Sequence, residues 1–456
     1  MIGGGISGLS AAYYFCKNKH PFAVDLFEMK SNLGGMIQTI SKDGFLIELG
    51  PDSIITNKPW ALDLIQELSL NGQIIETNPQ NRSSYVLHNH KLQPIPSGFF
   101  MMAPAQIISF LCSNIVSWPG KLRVLGDLLI RPKYIIDDES LANFVRRRLG
   151  HEVLSNIAEP LLAGIYGADP EKLSLKSVMP DFIDLEQKYG SIIRGLRKHK
   201  IGNVQGARYG LFVSLRNGLQ TLIDRLVQSM PNCNFHSSTK INTIIPEGRQ
   251  WLVQWPGGEK YYDALCIATS APVAANLLQE NCQELSDLIS PIECSSIAIA
   301  QFGFKKEQKK SPLLGMGFVV PKKENRWLMA STFSSQKYLD RAPQSHYLLR
   351  TYVGGALGEK YLAESNNEII KNALSDCKEL LSIHGDPCMT QFNRYEKSMP
   401  QYNIGHLDRI KKIDDQVKKY SGLALAGNYF LGVGIPDCIH SAQKAFYKIL
   451  LDLKLT

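Results

Sequence analysis

The sequence predicts an α/β protein: a Rossmann-like dinucleotide-binding domain interleaved with an α+β domain and a helical domain. Three observations carry this expectation. Gly3, Gly5 and Gly8 form a G-x-G-x-x-G run that opens an apolar stretch free of Pro and Gly, Leu9–Phe15, as a turn entering a helix requires. The next apolar run, Phe22–Phe27, ends in Glu28, twenty residues beyond Gly8, where such a cradle carries the acid that grips a ribose hydroxyl. Further on the texture changes, with no charged residue from Leu92 to Gly120 and a β-rich region over 293–400.

Each part of the cradle has a physical reason. Missing Cβ atoms at Gly3 and Gly5 allow a tight turn and close backbone approach to a pyrophosphate, and Gly8 lets the helix lie near the sheet. The helix N-terminus, carrying roughly +0.5 of an elementary charge, faces the anion. A turn of this kind follows a buried strand of about five or six residues, yet only Met1 and Ile2 precede Gly3. Either that strand is severely shortened or it starts upstream, and cofactor affinity and stability are expected to suffer.

Length and composition set the frame. With 456 residues, 44% apolar and 20% charged, the chain is of ordinary globular composition and can hold two or three domains. A net charge of +8 and a pI near 8.8 suit an acidic ligand or an anionic membrane surface. The basic residues are scattered rather than striped, and no nucleic-acid motif stands out, so nucleic acid is not expected as a partner. The nine cysteines show neither C-x-x-C spacing nor clustering, which implies a reduced, cytoplasmic setting. His88 and His90 flank Asn89 in a polar hairpin tip, and no metal site is expected. The N-terminus lacks a basic region before its apolar run and does not read as a signal peptide.

Along the chain, Ala61–Leu70 spaces its apolar side chains as one helix face, with Gly72 as its stop. Asn81–Leu87 and Lys91–Pro96 read as a hairpin whose first strand opens with Arg82. The twenty-nine uncharged positions from Leu92 to Gly120 exceed the roughly 20 residues of a spanning helix. Pro104, Gln106, Ser109, Ser113, Asn114 and Ser117 interrupt them, so short helices are expected instead. These either dip into one leaflet, with Trp118, Lys121, Arg123, Arg131 and Lys133 near the headgroups, or pack beneath a cleft. Glu139–Gly150 reads as a helix closed by glycine. Lys240–Ile244 and Trp251–Trp255 read as strands paired across Gly248, and Asp263–Pro272 as a strand ending at a crossover. Gly317–Pro321, Ser331–Ser335 and Leu348–Gly355 are the clearest strands of the β-rich region. Leu423–Tyr429 is a buried strand entering Gly432–Ile435, and Pro436 suits the first turn of a helix.

Several of these segments also carry a family resemblance. After the glycine run and Glu28 come Asn32-Leu33-Gly34-Gly35 and Gly44-Phe45-Leu46-Ile47-Glu48-Leu49-Gly50-Pro51-Asp52-Ser53. This order resembles the FAD-dependent amine oxidase superfamily, although the arginine usual before L-G-G is Asn32 here. The stretch Glu159-Pro160-Leu161-Leu162-Ala163-Gly164-Ile165-Tyr166-Gly167-Ala168-Asp169-Pro170-Glu171-Lys172-Leu173-Ser174 closely resembles the signature of oxygen-dependent protoporphyrinogen oxidases. Tyr209–Leu219, Asp263–Pro272, Arg341-Ala342-Pro343 and Met399–His406 resemble further segments of the same family.

The resemblance implies a non-covalently bound FAD in a GR2-type Rossmann-like domain made of residues 1–80, 205–290 and 400–456. It implies a substrate-binding domain of 81–91 and 291–399 and a helical, membrane-associating or substrate-covering domain of 92–204. Cofactor contacts would come from Gly3, Gly5, Ile6, Ser7, Gly8, Glu28, Met29, Gly34, Gly35, Gly50, Pro51, Asp52 and Ser53. Ile241, by its backbone to adenine, and Tyr395, Gly427, Gly432, Val433 and Ile435 would complete them. The helix after Pro436 would aim its N-terminus at the flavin pyrimidine edge, where negative charge gathers on reduction, and Cys438 would be a packed helix cysteine.

The implied reaction is oxidation of a porphyrinogen to a porphyrin in haem biosynthesis by three two-electron transfers to FAD, with oxygen as acceptor and peroxide as product. No catalytic side chain is required, because the cofactor carries the chemistry. Arg82 would hold a propionate, the Gly164 carbonyl would face the pyrrole N–H groups, and Val319 and Tyr352 would sandwich the macrocycle. Tyr352 stands where Phe or Met is usual, which makes the pocket more polar. Protoporphyrinogen IX is the first substrate this implies and coproporphyrinogen III, with four propionates, the alternative. A non-catalytic porphyrinogen-binding flavoprotein and a generic amine oxidase are the other readings. Peripheral contact with the inner face of the cell membrane and a homodimer stay open.

Overall fold

The computed structural model describes residues 1–134, 137–198 and 211–455. Tyr209 and Gly210 of the expected return segment, and the expected boundary at 204/205, lie outside the described residues.

The glycine run feeds a buried helix, Ile6–Cys16, on a parallel sheet. Strand Val24–Phe27 pairs with Cys233–His236, and Leu265–Ile267 pairs with Leu423–Leu425. Ile2 lies between these pairs, with parallel bridges to Phe27 and Ile267. The Ile2 N–H donates to Cys266 O at 2.9 Å, and Ala268 N–H donates to Ile2 O at 2.8 Å. The residue next to the glycine run therefore joins the two strand pairs into one layer. Gly3, at φ +105°, and Gly8 meet so closely that a Cβ on Gly8 would stand 1.9 Å from the Gly3 carbonyl oxygen. The closing helix, Ile435–Asp452, has Pro436 in its first turn and packs against the first helix through Phe446, whose ring lies 4.8 Å from that of Phe15.

A second, seven-stranded sheet holds the other half of the molecule. Its spatial order is Met389–Pro400, Cys294–Lys305, His346–Gly354, Ala330–Phe333, Gly317–Val319, Tyr85–His88, Lys91–Pro94. Parity along these strands separates two faces. Leu349 opposite Phe302 and Val353 opposite Ala298 point into an apolar core that includes Ile369, Ala373 and Cys377 of helix Asn366–Leu381. Arg350 opposite Gln301 and Tyr352 opposite Ile299 lie on the other face, towards the nucleotide-binding half.

Bonds across that face fasten the two halves. The Gln301 amide donates to Glu48 O at 2.9 Å, Arg350 Nη2 donates to Gly50 O, and the Tyr338 hydroxyl donates to Ser53 Oγ at 2.9 Å. Lys337 Nζ reaches both oxygens of Asp52, at 3.1 and 3.0 Å.

The third region is built of short helices, among them Ile107–Leu111, Trp118–Leu125, Leu141–Arg148 and Glu159–Tyr166. It is pinned by Arg148, whose guanidinium is fully buried and bonds Asp127 Oδ1 at 2.6 Å, Gly190 O at 2.9 Å and Ile130 O at 3.1 Å. Among the described residues no helix is long and apolar enough to cross a membrane. Ile108, Trp118, Leu122, Leu129 and Tyr134 are exposed on this region.

Several expectations are corrected. Lys121 is not at an exposed surface: it is buried, with its ammonium 4.4 Å from the centre of the Trp118 ring. Helix Trp60–Glu67 ends ahead of Gly72, because Ser69 takes a positive φ of 58° and turns the chain there. Arg82 precedes its strand, which begins at Tyr85, because it closes the short helical turn Pro79–Asn81. Ser334 and Ser335 open the helix Ser334–Lys337 instead of extending a strand.

Two stability outcomes follow from this packing. Gly8→Ala should cost about 2–3 kcal/mol in urea unfolding, because its Cβ would meet backbone. Gly72→Ala, with nothing within 4 Å, should stay within about 0.5 kcal/mol of the parent. For Asp52, burial pushes the carboxyl up, but Lys337, Arg350 and the bonds from Ser53 and Lys337 outweigh burial and hold it well below the carboxylate range. A depressed carboxyl stabilises the fold fully above its unfolded pKa of about 4 and loses that contribution as pH falls. Lys337→Met should therefore destabilise by about 2–3 kcal/mol at pH 7, with the gap in urea midpoint narrowing below about pH 4.

Candidate functional site

The glycine turn is braced from the strand end that follows it. Glu28, buried with 9% exposure, accepts the Gly4 N–H on Oε2 at 2.7 Å and the Lys30 N–H on Oε1 at 2.8 Å. The carboxylate expected to hold a ribose thus also fixes the turn itself, a role that spacing alone does not reveal. Gly34 lies beside Gly5 in a parallel bridge, and a Cβ on Gly35 would stand 3.0 Å from Gly5 Cα, so the second glycine pair closes the cradle from the other side. Ile6 and Ser7 begin the helix and are buried, whereas Met29 is 59% exposed.

A dinucleotide fits this donor set. The first helix starts at Gly5 with no side-chain cap on its free N–H groups. The closing helix starts the same way at Gly434, so both leave their first-turn donors open to an anionic or carbonyl ligand. Gly432 and Val433 lead into this second helix and Ile435 begins it. Gly432 lies against the carboxylate of Asp437, which Lys58 holds at 2.6 Å. Gly427 donates to Ser441 Oγ at 3.1 Å, and Cys438 is buried. Ile241 shares a core cluster with Ile2 and Phe27, which sets it beside the strand end that Glu28 follows.

The opposite wall is the polar face of the seven-stranded sheet. Val319 pairs with Ala330, Ala330 with Tyr352 and Tyr352 with Ile299, so these side chains form one row. Gly164, on helix Glu159–Tyr166, comes down on that row: a Cβ there would lie 3.5 Å from Val319 Cγ1 and 3.9 Å from the Ala330 Cβ. Tyr395, opposite Ile297 on the edge strand, extends the same face. Arg82 belongs to the turn before Tyr85–His88, three strands from Tyr352. Its neighbour Asn81 bonds Gln336 at 2.8 Å, and the Arg82 Nε is buried with no partner.

Gly50, Pro51, Asp52 and Ser53 lie between the two walls, fastened by Arg350, Lys337 and Tyr338. Burial raises the Tyr352 hydroxyl above the ordinary tyrosine range, with Arg350 opposing, so the phenol stays protonated, 3.5 Å from Thr332 Oγ1. Burial likewise raises Tyr395. Among the described residues no cluster suited to a metal ion is present.

Three side chains of this wall were not singled out in the sequence. Arg350, Lys337 and Gln301 all touch the Glu48–Ser53 segment. The signal available for Arg350 is a lone charge in the run Leu348-Leu349-Arg350-Thr351-Tyr352-Val353, which leaves it buried unless that face is solvated.

Comparison with known proteins gives the cradle its cofactor. Residues 6–450 match the family described as flavin containing amine oxidoreductase. The chain is 37% identical to coproporphyrinogen III oxidase of Bacillus subtilis (strain 168), over 98% of this chain and 96% of the relative. It is 28% identical to protoporphyrinogen oxidase 1, chloroplastic, of Arabidopsis thaliana, over 98% of this chain and 87% of that protein. A solved structure from Exiguobacterium sp. 255-15, named for protoporphyrinogen oxidase, superposes with a TM-score of 0.89 at 30% identity, covering 99% of this chain and 98% of that one. The chain therefore belongs to the flavin-containing amine oxidoreductases, and FAD is its cofactor.

Proposed function

We propose that this protein oxidises coproporphyrinogen III to coproporphyrin III, with protoporphyrinogen IX as the second-best substrate. The observation that carries this reading is the full-length likeness to a coproporphyrinogen III oxidase at 37% identity, against 28% to a protoporphyrinogen oxidase. Bound FAD supplies the acceptor for the electrons leaving the substrate and passes them to oxygen.

In this reading the chain's own residues bind and orient. Val319, Ala330 and Tyr352 offer an apolar and aromatic floor for a flat macrocycle, and Gly164, lacking a side chain, leaves room above it for a backbone carbonyl to meet pyrrole N–H groups. The buried Nε of Arg82 suits a propionate, because a guanidinium binds a carboxylate through two parallel hydrogen bonds. The division into a discontinuous FAD-binding domain, a substrate domain and a helical domain belongs to the same proposal. So does peripheral contact with an anionic membrane through exposed Trp118, Leu122 and Leu129.

The test is porphyrin fluorescence with each porphyrinogen offered separately under oxygen, against controls without enzyme. Coproporphyrinogen III should give the higher kcat/KM by about tenfold, equivalent to about 1.4 kcal/mol of transition-state binding. The reverse order would assign protoporphyrinogen IX, and flavin-loaded protein that turns over neither would leave a binding role. Arg82→Ala should raise KM about tenfold or more with kcat little changed; unaltered kinetics would remove Arg82 from the site.

A further inference from the structure

Arg350 stands in the middle of His346–Gly354, an interior strand of the seven-stranded sheet, and is 3% exposed. Its Nη2 donates to Gly50 O, its guanidinium lies 5.2 Å from the centre of the Tyr352 ring and also interacts with the Tyr352 hydroxyl, and its Nε and Nη1 are buried with no partner in hydrogen-bond geometry. Guanidinium carries five N–H donors and cannot shed its charge, so the donors on Nε and Nη1 lie inside the protein without a well-placed acceptor. Burying such donors costs free energy unless something accepts them.

The neighbouring charges do not provide that acceptor. Asp52 is held on both oxygens by Lys337, at 3.1 and 3.0 Å, and takes the Ser53 hydroxyl at 2.8 Å. Glu48 accepts the Thr39 hydroxyl at 2.7 Å and the Leu219 N–H at 2.9 Å. Arg341 is spent on Arg216 O, Leu215 O and Ser214 Oγ. The three buried cations, Arg350, Lys337 and Arg341, thus outnumber the two carboxylates, and the surplus positive charge rests where the donors are bare.

We propose that Arg350 is a redox-tuning residue of the flavin site, its Nε–H and Nη1 edge turned to the isoalloxazine of bound FAD to stabilise the negative charge that ring gains on reduction. This rests on the functional reading above and on a flavin that would run from the glycine cradle along Gly50–Ser53 to the polar face of the sheet. The balance would be that of hydride transfer: a substrate C–H bond would break, its electron pair and proton would pass to the flavin and leave one net negative charge there, and the oxidised macrocycle would shed a pyrrole N–H proton. A fixed cation already in place when that charge develops favours the reduced form without reorganisation. A substrate propionate would need the same donors, but Arg350 is closed from solvent and bonded to the loop of the cofactor, not to the cleft mouth.

The test compares the wild-type protein with Arg350→Met and Arg350→Lys, each loaded with FAD. Readouts are the flavin midpoint potential, sulfite titration of the flavin absorbance and KM for coproporphyrinogen III. Wild type should bind sulfite. Arg350→Met should weaken sulfite binding and the two-electron reduction equilibrium at least tenfold, the latter about 30 mV, and Arg350→Lys should fall between. Unchanged potential and sulfite affinity in Arg350→Met would overturn the proposal, and a raised KM alone would make Arg350 a propionate ligand instead. Should Arg350→Met not fold, Arg350→Lys with an unshifted potential, or a wild type that ignores sulfite, overturns it equally. Wild-type protein that takes up no FAD would fail the cofactor assignment itself, a distinct result.

Discussion

The bonds between the Glu48–Ser53 segment and the polar face of the seven-stranded sheet are the constraint on which the site depends. Gln301, Lys337, Tyr338 and Arg350 reach that segment from the sheet and the turn beside it. The partners are about 250 to 300 residues apart in sequence, so neither half can form this wall by itself. The glycine cradle and Glu28 sit on one side of the junction, and Val319, Tyr352 and Gly164 on the other. A pocket at such a junction is where a cofactor and a flat apolar substrate can share a wall while water is kept out.

The sheet tolerates a polar inner face because its other face carries the hydrophobic load. Phe302, Phe304, Leu349 and Val353 bury against helix Asn366–Leu381. At about 25 cal/mol per Å2 of apolar surface removed from water, side chains of this size each stabilise the fold by roughly 1.5–3 kcal/mol. That is enough to hold the strands while alternate positions carry Arg350, Tyr352 and Gln301. A one-residue slip of His346–Gly354 would send Arg350 into the apolar core and Leu349 into the cleft, so the same alternation that builds the site also fixes the register.

Much of the nucleotide-binding half was legible in the sequence because its constraints are local. Gly3, Gly5, Gly8 and Glu28 are defined by backbone geometry within thirty residues, and Pro436 marks the closing helix by its own chemistry. The substrate half was less legible. Cys294–Lys305 is buried on both faces along most of its length, which erases the alternation that identifies a strand. Met389–Pro400 is an edge strand whose mixed polar residues carry no clean alternation to mark its bounds. Gly164, Val319 and Tyr352 were reached only through a family signature, since nothing in their local sequence says that three distant segments meet.

Buried arginines show why bonding, not burial, separates support from function. Arg148 is as buried as a side chain can be, and its nitrogens are spent on Asp127, Gly190 and Ile130; its role is to hold the helical region together. Arg341 is likewise spent, on Arg216, Leu215 and Ser214. Arg350 is nearly as buried and carries the same charge, but among the described residues Gly50 O is its one acceptor in hydrogen-bond geometry, beside the Tyr352 hydroxyl that its guanidinium faces. A fold that needed a cation there only as a strut would gain by satisfying it or by replacing it with an apolar residue of similar volume. Bare donors kept beside the cofactor loop make sense when an acceptor arrives from outside the chain, and in a flavin site the acceptor whose charge changes during turnover is the flavin itself.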